Sequence, residues 1–345
     1  MLKKLVLVLI LGSSSIFPQT VLSKYAGEFL AIGVGGRPLG MGGAYTAIAN
    51  DVTAGYYNPA GLANLNYPQI SLMHDERYGN LVNYNYAAFA LPYGSAYSFG
   101  LSIMRLGVDG IPDTRNALID RSTGQVIYDI NSPAAKIDPS LVKEFSNQDW
   151  AVYLTGAKRH SKDLYFGVNM KLIYRKIAEF SATGIGFDAG AMYFATENLT
   201  LGANIQDVTT TLVGWSTGRN ELISPTLKLG AAYKLEVFGI SFTPAVDFDV
   251  RFEGREYAAQ FNMGPVSFDP HFGGELSYKN IFAVRGGYND VKQFTMGAGV
   301  RLPKLNIDYS FARFNMSEED RLPDTHRISM ILTLEEARFL RTMNN

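Results

Sequence analysis

The sequence predicts an all-β chain: a transmembrane antiparallel β-barrel of about 14 strands with an amino-terminal plug, or hatch, folded inside it. Three observations carry this expectation. Apolar residues recur at every second position through most of the chain from 68 to 336, as they do when successive side chains point to opposite faces of a strand. The connections between these segments alternate between tight and long. Ahead of them lies a glycine-rich stretch, 32–62, with too little side-chain volume for a core helix and too many φ-permissive positions for a central strand. Such backbone has to be buried by something else, and the strands are what is available.

Taken in order, the chain begins with an export signal, 1–23. Lys3 and Lys4 form a positive start, Leu5 to Leu11 is an unbroken apolar run, and the residues to Ser23 are small and polar enough for cleavage. Seven apolar residues rising about 1.5 Å each cannot cross a hydrocarbon core of about 30 Å. No later stretch approaches the length of a membrane helix. The formal net charge of -1 and the lack of a basic stripe argue against nucleic acid as a partner. The absence of cysteine excludes disulfides, thiolate metal sites and a lipidated amino-terminal cysteine.

Residues 24–66 are assigned to the plug. Its distinctive positions are Gly35, Gly36, Arg37, Gly40, Gly42, Gly43, Asn50, Asp51, Asn58, Pro59 and Gly61. The glycines superficially resemble a phosphate-binding loop, but no lysine followed by serine or threonine is present and no alternating strand–helix pattern follows.

The barrel occupies 67–336. Its expected strands are 68–77, 80–92, 96–109, 148–160, 164–178, 182–195, 198–209, 224–236, 238–253, 266–279, 281–289, 293–302, 304–314 and 325–335. From Ile240, for example, Phe242, Val246, Phe248 and Val250 share one parity, while Ser241, Asp247, Asp249 and Arg251 share the other. Short turns at 92–96, 160–163, 196–198, 237, 280 and 303–304 fall at every second junction. The intervening junctions include the long loops 110–147, 210–223, 254–265 and 315–324. Short turns on one rim and long loops on the other are the pattern of an outer-membrane barrel, with the turns facing the periplasm. A soluble sandwich or propeller is the alternative. The long strands and the lack of a repeat of blade length argue against it. A polar tail, 337–345, closes the chain.

Charge on the lipid face near mid-bilayer costs about 2–4 kcal/mol, so the polar parity should line the lumen. This assigns Asp188, Asp247, Asp249, Arg251, Glu275 and Arg301 to the inside, with Lys171, Arg175, Lys228, Lys234, His271 and Asp308. Mixed signs suggest an ion-pair network reaching Arg37 and Asp51 of the plug rather than an ion-selective pore. Gly167, Gly202, Gly230, Gly297 and Gly299 on that parity would leave room for the plug. The four histidines are scattered and nominate no metal site. No serine–histidine pair suggests a hydrolase, so no catalytic residue and no cofactor is expected. Leu212, Val213 and Trp215 in one loop, with Phe261 and Met263 in another, are candidate partner-binding residues.

The wording of 35–62, GGRPLGMGGAYTAIANDVTAGYYNPAGL, resembles the amino-terminal signature of the PorV/PorQ family of outer-membrane barrels, themselves similar to the FadL long-chain fatty-acid transporters. The match runs through Gly35 to Ala44, Asn50 with Asp51, and Asn58 to Gly61. The IPDTR sequence at Ile111 to Arg115 looks PorV-like. The resemblance implies a fourteen-stranded barrel in the bacterial outer membrane with this segment as its hatch. It also implies one of two roles. A PorV-like accessory of type IX protein export would bind a secretion translocon or the signal domains of exported proteins through its external loops. A FadL-like conduit would instead pass a hydrophobic ligand, such as a fatty acid, through the lumen.

Overall fold

The computed structural model describes residues 27–79, 81–252, 259–314 and 324–341. The signal segment, residues 24–26, the first part of loop 254–265, nearly all of loop 315–324 and the last four residues lie outside these. The described chain is a closed antiparallel barrel of 14 strands. They are β1 (Gln69–Arg77), β2 (Val82–Tyr93), β3 (Tyr97–Asp113), β4 (Lys143–Arg159), β5 (Leu164–Ile177), β6 (Phe180–Phe194), β7 (Leu199–Gln206, resuming as Thr211–Trp215), β8 (Asn220–Ile223 and Thr226–Tyr233), β9 (Ile240–Arg251), β10 (Val266–Tyr278), β11 (Phe282–Tyr288), β12 (Gln293–Leu302), β13 (Leu305–Phe314) and β14 (Thr325–Thr333). Each pairs with its neighbours in sequence, and β1 closes the ring on β14 through Gln69↔Thr333 to Glu76↔His326. Closure leaves no sheet edge unpaired, which is the condition for strands to cross a bilayer.

The period-two pattern of the sequence reappears as alternating burial. In β14 the residues from Thr325 to Leu332 alternate strictly between buried and exposed, and β1 from Ile70 to Glu76 does the same. The exposed set is Leu, Ile, Phe, Val, Met and Tyr through the middle of the strands, including Leu72, Phe89, Leu101, Phe166, Phe187, Phe242, Phe248 and Leu276. An outer surface this apolar on a closed barrel is that of a bilayer-spanning protein of the outer-membrane type.

Two loop assignments change. The 210–223 stretch is mostly strand: Thr211–Trp215 continues β7 along β6, with Leu212↔Ile185 and Trp215↔Ala182, and turns into Asn220–Ile223. The break between the two parts of β7 is a kink at Asp207 and Thr210, both with positive φ. It reads as a loop in sequence because the pairing resumes only when β6 is present as a template. The long 110–147 connection is also shorter than expected, because β3 runs on to Asp113 and β4 starts at Lys143. Between them sits a two-stranded ribbon, Leu118–Asp120 with Ala135–Ile137.

Candidate functional site: the filled bore

Residues 27–66 lie within the barrel as short helical pieces, Glu28–Ala31, Gly36–Gly40, Ala54–Tyr57 and Pro59–Asn64, joined by turns. Most of them are buried. The wall makes room for them with glycine. A Cβ on Gly167 would lie 2.2 Å from the carbonyl carbon of Pro59, one on Gly202 2.3 Å from the Thr46 carbonyl oxygen, and one on Gly273 2.3 Å from that of Met41. In the segment itself, Gly42 has φ +66 and sits where a Cβ would be 2.6 Å from the Tyr288 amide nitrogen, so only glycine fits both the conformation and the gap. Between these contacts the filling is aromatic: Tyr45, Tyr56 and Tyr57 stack edge-to-face at 4.8–5.2 Å, against Tyr84, Tyr86 and Tyr153 from the wall.

Irregular backbone carries orphan donors and acceptors, and burial makes each of them costly. Inward side chains of the wall satisfy them. Asp247 accepts from the backbone N–H groups of Tyr45 and Thr46 at 2.9 and 2.8 Å. Ser329 accepts from Gly36 N–H. Asn169 and Asn204 donate to the carbonyls of Gly55 and Tyr57, and Thr295 to that of Gly40. His271 Nδ1 lies 2.8 Å from the Gly42 carbonyl. Asn58 of the segment donates outward to the Ala191 carbonyl and inward to that of Thr46.

Among the described residues, Arg37 is the charged side chain of the segment that forms an ion pair with the wall. Its Nε and Nη2 donate to both oxygens of Glu275 at 2.8 and 2.9 Å, and Nη1 donates to Tyr45 Oη and Asn50 Oδ1. Glu275 also accepts from Arg285, which pairs with Asp308. Asp51 accepts from Tyr45 Oη and from Thr53 N–H. Gly61 packs so closely on Ala49 that a Cβ would lie 2.0 Å from its carbonyl oxygen, and Gly35, Gly40 and Gly43 similarly meet Thr53, Gly297 and His271.

The remaining charges form knots along the wall. Asp188 pairs with Lys171, which also reaches Asp207 at 2.7 Å. Asp249 is held by Lys228, with Arg251 at 3.6 Å, and Arg251 reaches Asp269 at 2.7 Å. Arg301 is half-buried and 3.9 Å from Glu275. Lys234 departs from the expectation: it is exposed at the turn rim beside Glu236. Asp249, His271 and Asp290 bring ligand atoms within 4.8 Å of one another, a convergence hidden by their spacing in the sequence. Lys228 and Arg251 already engage the same carboxylate, which favours an ion-pair knot over a divalent cation.

The partner-binding candidates do not come together as a loop patch. Leu212 points outward from β7 and is half exposed, whereas Val213 is fully buried. Trp215 is partly buried beneath the Arg175 guanidinium, 5.5 Å from its ring centre. Phe261 and Met263 are exposed on a short strand pairing with the start of β10. The tail is also different. Arg341 is buried and donates to the carbonyls of Leu65, Ser95 and Tyr97 and to Ser98 Oγ, tying the end of the chain to the amino-terminal segment and the β2–β3 turn. Its composition reads as a free polar tail because carbonyl acceptors leave no mark in a sequence. Outside the wall, Arg115 pairs with Asp113 and Glu179, and its hydrogen bonds hold the Glu179 carboxyl below the usual range.

The segment divides the bore. On the loop side lies a cavity of about 510 Å³, whose lining includes Phe29, Ile32, Arg77, Arg175, Arg251 and Arg327. On the turn side lies one of about 720 Å³ bordered by Arg37, Asn50, Asp51, Arg301 and Lys304.

Solved structures with this architecture include the toluene transporter TodX of P. putida, at 12% identity over 91% of this chain and 99% of that one with a TM-score of 0.59. The toluene transporter TbuX of Ralstonia pickettii matches at 14% identity over 87% and 97%, with a TM-score of 0.56. A Pseudomonas aeruginosa FadL homologue matches at 12% over 87% and 98%, with a TM-score of 0.52. These are likenesses of fold. Residues 10–103 match the model of UPF0164, an uncharacterised protein family. No curated protein matches the sequence.

Proposed function

We propose that the protein is an outer-membrane conduit for small hydrophobic or amphipathic molecules, of the FadL type, with residues 27–66 as its plug. The observation that carries this reading is the divided bore: a cavity on each side of a segment that is held in place by hydrogen bonds and the Arg37–Glu275 ion pair. The fold neighbours described as toluene transporters supply the substrate class, a small apolar molecule. The loop-side cavity is aromatic and aliphatic at Phe29, Ile32, Leu39 and Tyr57 and carries charges of both signs, Glu28, Asp149 and Asp290 beside Arg77, Arg175, Arg251 and Arg327, a lining that suits a small molecule with an apolar body and a polar end.

The accessory role in protein export rests on the amino-terminal motif, and Phe261 and Met263, exposed beside the loops, are what remain to favour it. One experiment separates the two. The tagged barrel is purified from gently solubilised outer membrane, and co-purifying proteins and small molecules are identified by mass spectrometry. Stoichiometric hydrophobe with no protein partner is the expected result. A large translocon barrel or exported proteins sharing a terminal domain, with an empty lumen, would overturn the conduit.

A further inference from the structure

Most charges on the inner face of the wall are paired; on the outer face of one sector Arg105 is not. Two neighbouring outward rows run across β14, β1, β2, β3 and β4. By register, the lower row is Met330, Leu72, Ala87, Ile103 and Val152, and the upper row is Ile328, His74, Asn85, Arg105 and Trp150. The lower row is apolar throughout. The upper row turns polar at three of its five positions, and the next outward row, His326, Glu76, Asn83, Gly107 and Gln148, has no apolar side chain at all. The sector therefore crosses from hydrocarbon to headgroup depth at His74 and Arg105, on the side of the long loops. Between the rows, where Ala87 is small, a groove of about 380 Å³ opens on the outer wall.

Arg105 is the group without a counterpart. Among the described residues it has no carboxylate within 4.0 Å. Its guanidinium stacks on the Trp150 ring at 5.6 Å and lies over Gly107, one outward position nearer the loops, where a Cβ would be 3.0 Å from its Nη2. It is thus half-buried on an aromatic face with donors free. His74 and Asn85 beside it satisfy one another at 2.7 Å. A cation at the lipid face is costly unless it meets an anion or water, and a planar guanidinium is matched geometrically by a phosphate.

We propose that this groove is a binding site for a lipid of the surrounding bilayer with an anionic phosphate headgroup. The phosphate sits on Arg105, and one acyl chain lies along Ala87 between Leu72, Ile103 and Met330. The order of chemistry down the groove, cation above and apolar channel below, is that of the ligand.

The chain has only two tryptophans, and one of them borders the groove. A Trp215→Phe protein therefore reports from Trp150 alone. It would be reconstituted in phosphatidylcholine bilayers containing a small fraction of either chain-brominated phosphatidylglycerol or chain-brominated phosphatidylcholine, and quenching of Trp150 measured. The anionic lipid should be enriched at Trp150 about fivefold over the zwitterionic one, the effect of one basic residue on an anionic lipid surface. Arg105→Gln should level the two, while Arg105→Lys should keep part of the preference. Ala87→Leu, which fills the groove and leaves the cation, should reduce quenching by both. Equal quenching by the two lipids in the Arg105 protein would overturn the site, and needs no variant at Arg105 to fold. A preference that survives Arg105→Gln would overturn its assignment to Arg105.

Discussion

Removing the Arg37 side chain should loosen the amino-terminal segment without disturbing the barrel. Arg37→Ala deletes two charge-assisted hydrogen bonds to Glu275 and two further bonds within the segment, to Tyr45 and Asn50. Breaking a buried pair by removing one partner costs about 3–5 kcal/mol when the other charge is left alone. Glu275 is not left alone, because Arg285 still donates to it at 2.7 Å. The bonds to Tyr45 and Asn50 are internal to the segment and are lost whether or not it stays docked. The cost to docking is therefore near the lower end, about 3 kcal/mol, and the displaced population should rise roughly a hundredfold. The absence of native cysteine provides the assay. Ala44 is fully buried between the segment and the wall, so an Ala44→Cys thiol reacts with maleimide only when the segment leaves. Its labelling rate in bilayers should increase by about two orders of magnitude when Arg37→Ala is added, with the heat-resistant mobility of the folded barrel unchanged. Glu275→Gln in the same background should add less than its separate effect, since both act on one pair. A labelling rate unaffected by Arg37→Ala would refute the ion pair as an anchor and leave the wall-to-segment hydrogen bonds with the aromatic and glycine contacts to hold the segment.

Three other perturbations probe different parts of the same arrangement. Gly167→Val drives a side chain into Pro59, where even a Cβ would be 2.2 Å away. Overpacking of this kind costs about 1–3 kcal/mol or more, and the same thiol should label faster, while Gly156→Val, whose Cβ would meet only Val168 at 4.0 Å, should not. Arg341→Ala strands the carbonyls of Leu65 and Tyr97, at about 1–3 kcal/mol for buried acceptors. It should expose a Leu65→Cys thiol, at a position buried in the intact protein, and leave Ala44→Cys slow. The Arg115–Glu179 contact at 2.8 Å ties the loop after β3 to the β5–β6 turn. Because the Glu179 carboxyl is depressed, its contribution is complete above the ordinary glutamate value of about 4.3 and disappears as pH falls through the lower folded value. Limited proteolysis of the 114–142 loop should therefore stay flat down to about pH 5 and rise only below about pH 4; a rise near neutrality would assign loop order to another group.

What could be read from the sequence and what could not divide along a physical line. Strand faces depend only on period, so the inward placement of Asp188, Asp247, Asp249, Arg251 and Glu275 was legible, as were the wall glycines at 167 and 202. Partners depend on closure: Arg37 and Glu275 are 238 residues apart, and nothing local says which of several inward carboxylates faces the amino-terminal segment. Inward polar residues with no charge, such as Asn169, Asn204 and Ser329, carry the right parity but nothing in the sequence marks them out, although they satisfy part of the segment's backbone. The kink at Asp207 to Thr210 and the buried Arg341 were missed because their partners are main-chain groups supplied by distant strands. The same reasoning explains Arg105. An inward charge agrees with its strand's pattern and predicts a partner inside the barrel. An outward charge at the edge of an apolar row breaks the pattern, and where no neighbour on that face answers it, as Glu76 answers His74 at 3.4 Å, its partner is to be sought outside the chain. Arg105 beside Trp150 is such an unanswered outward charge, and the quenching experiment puts its proposed lipid partner at risk.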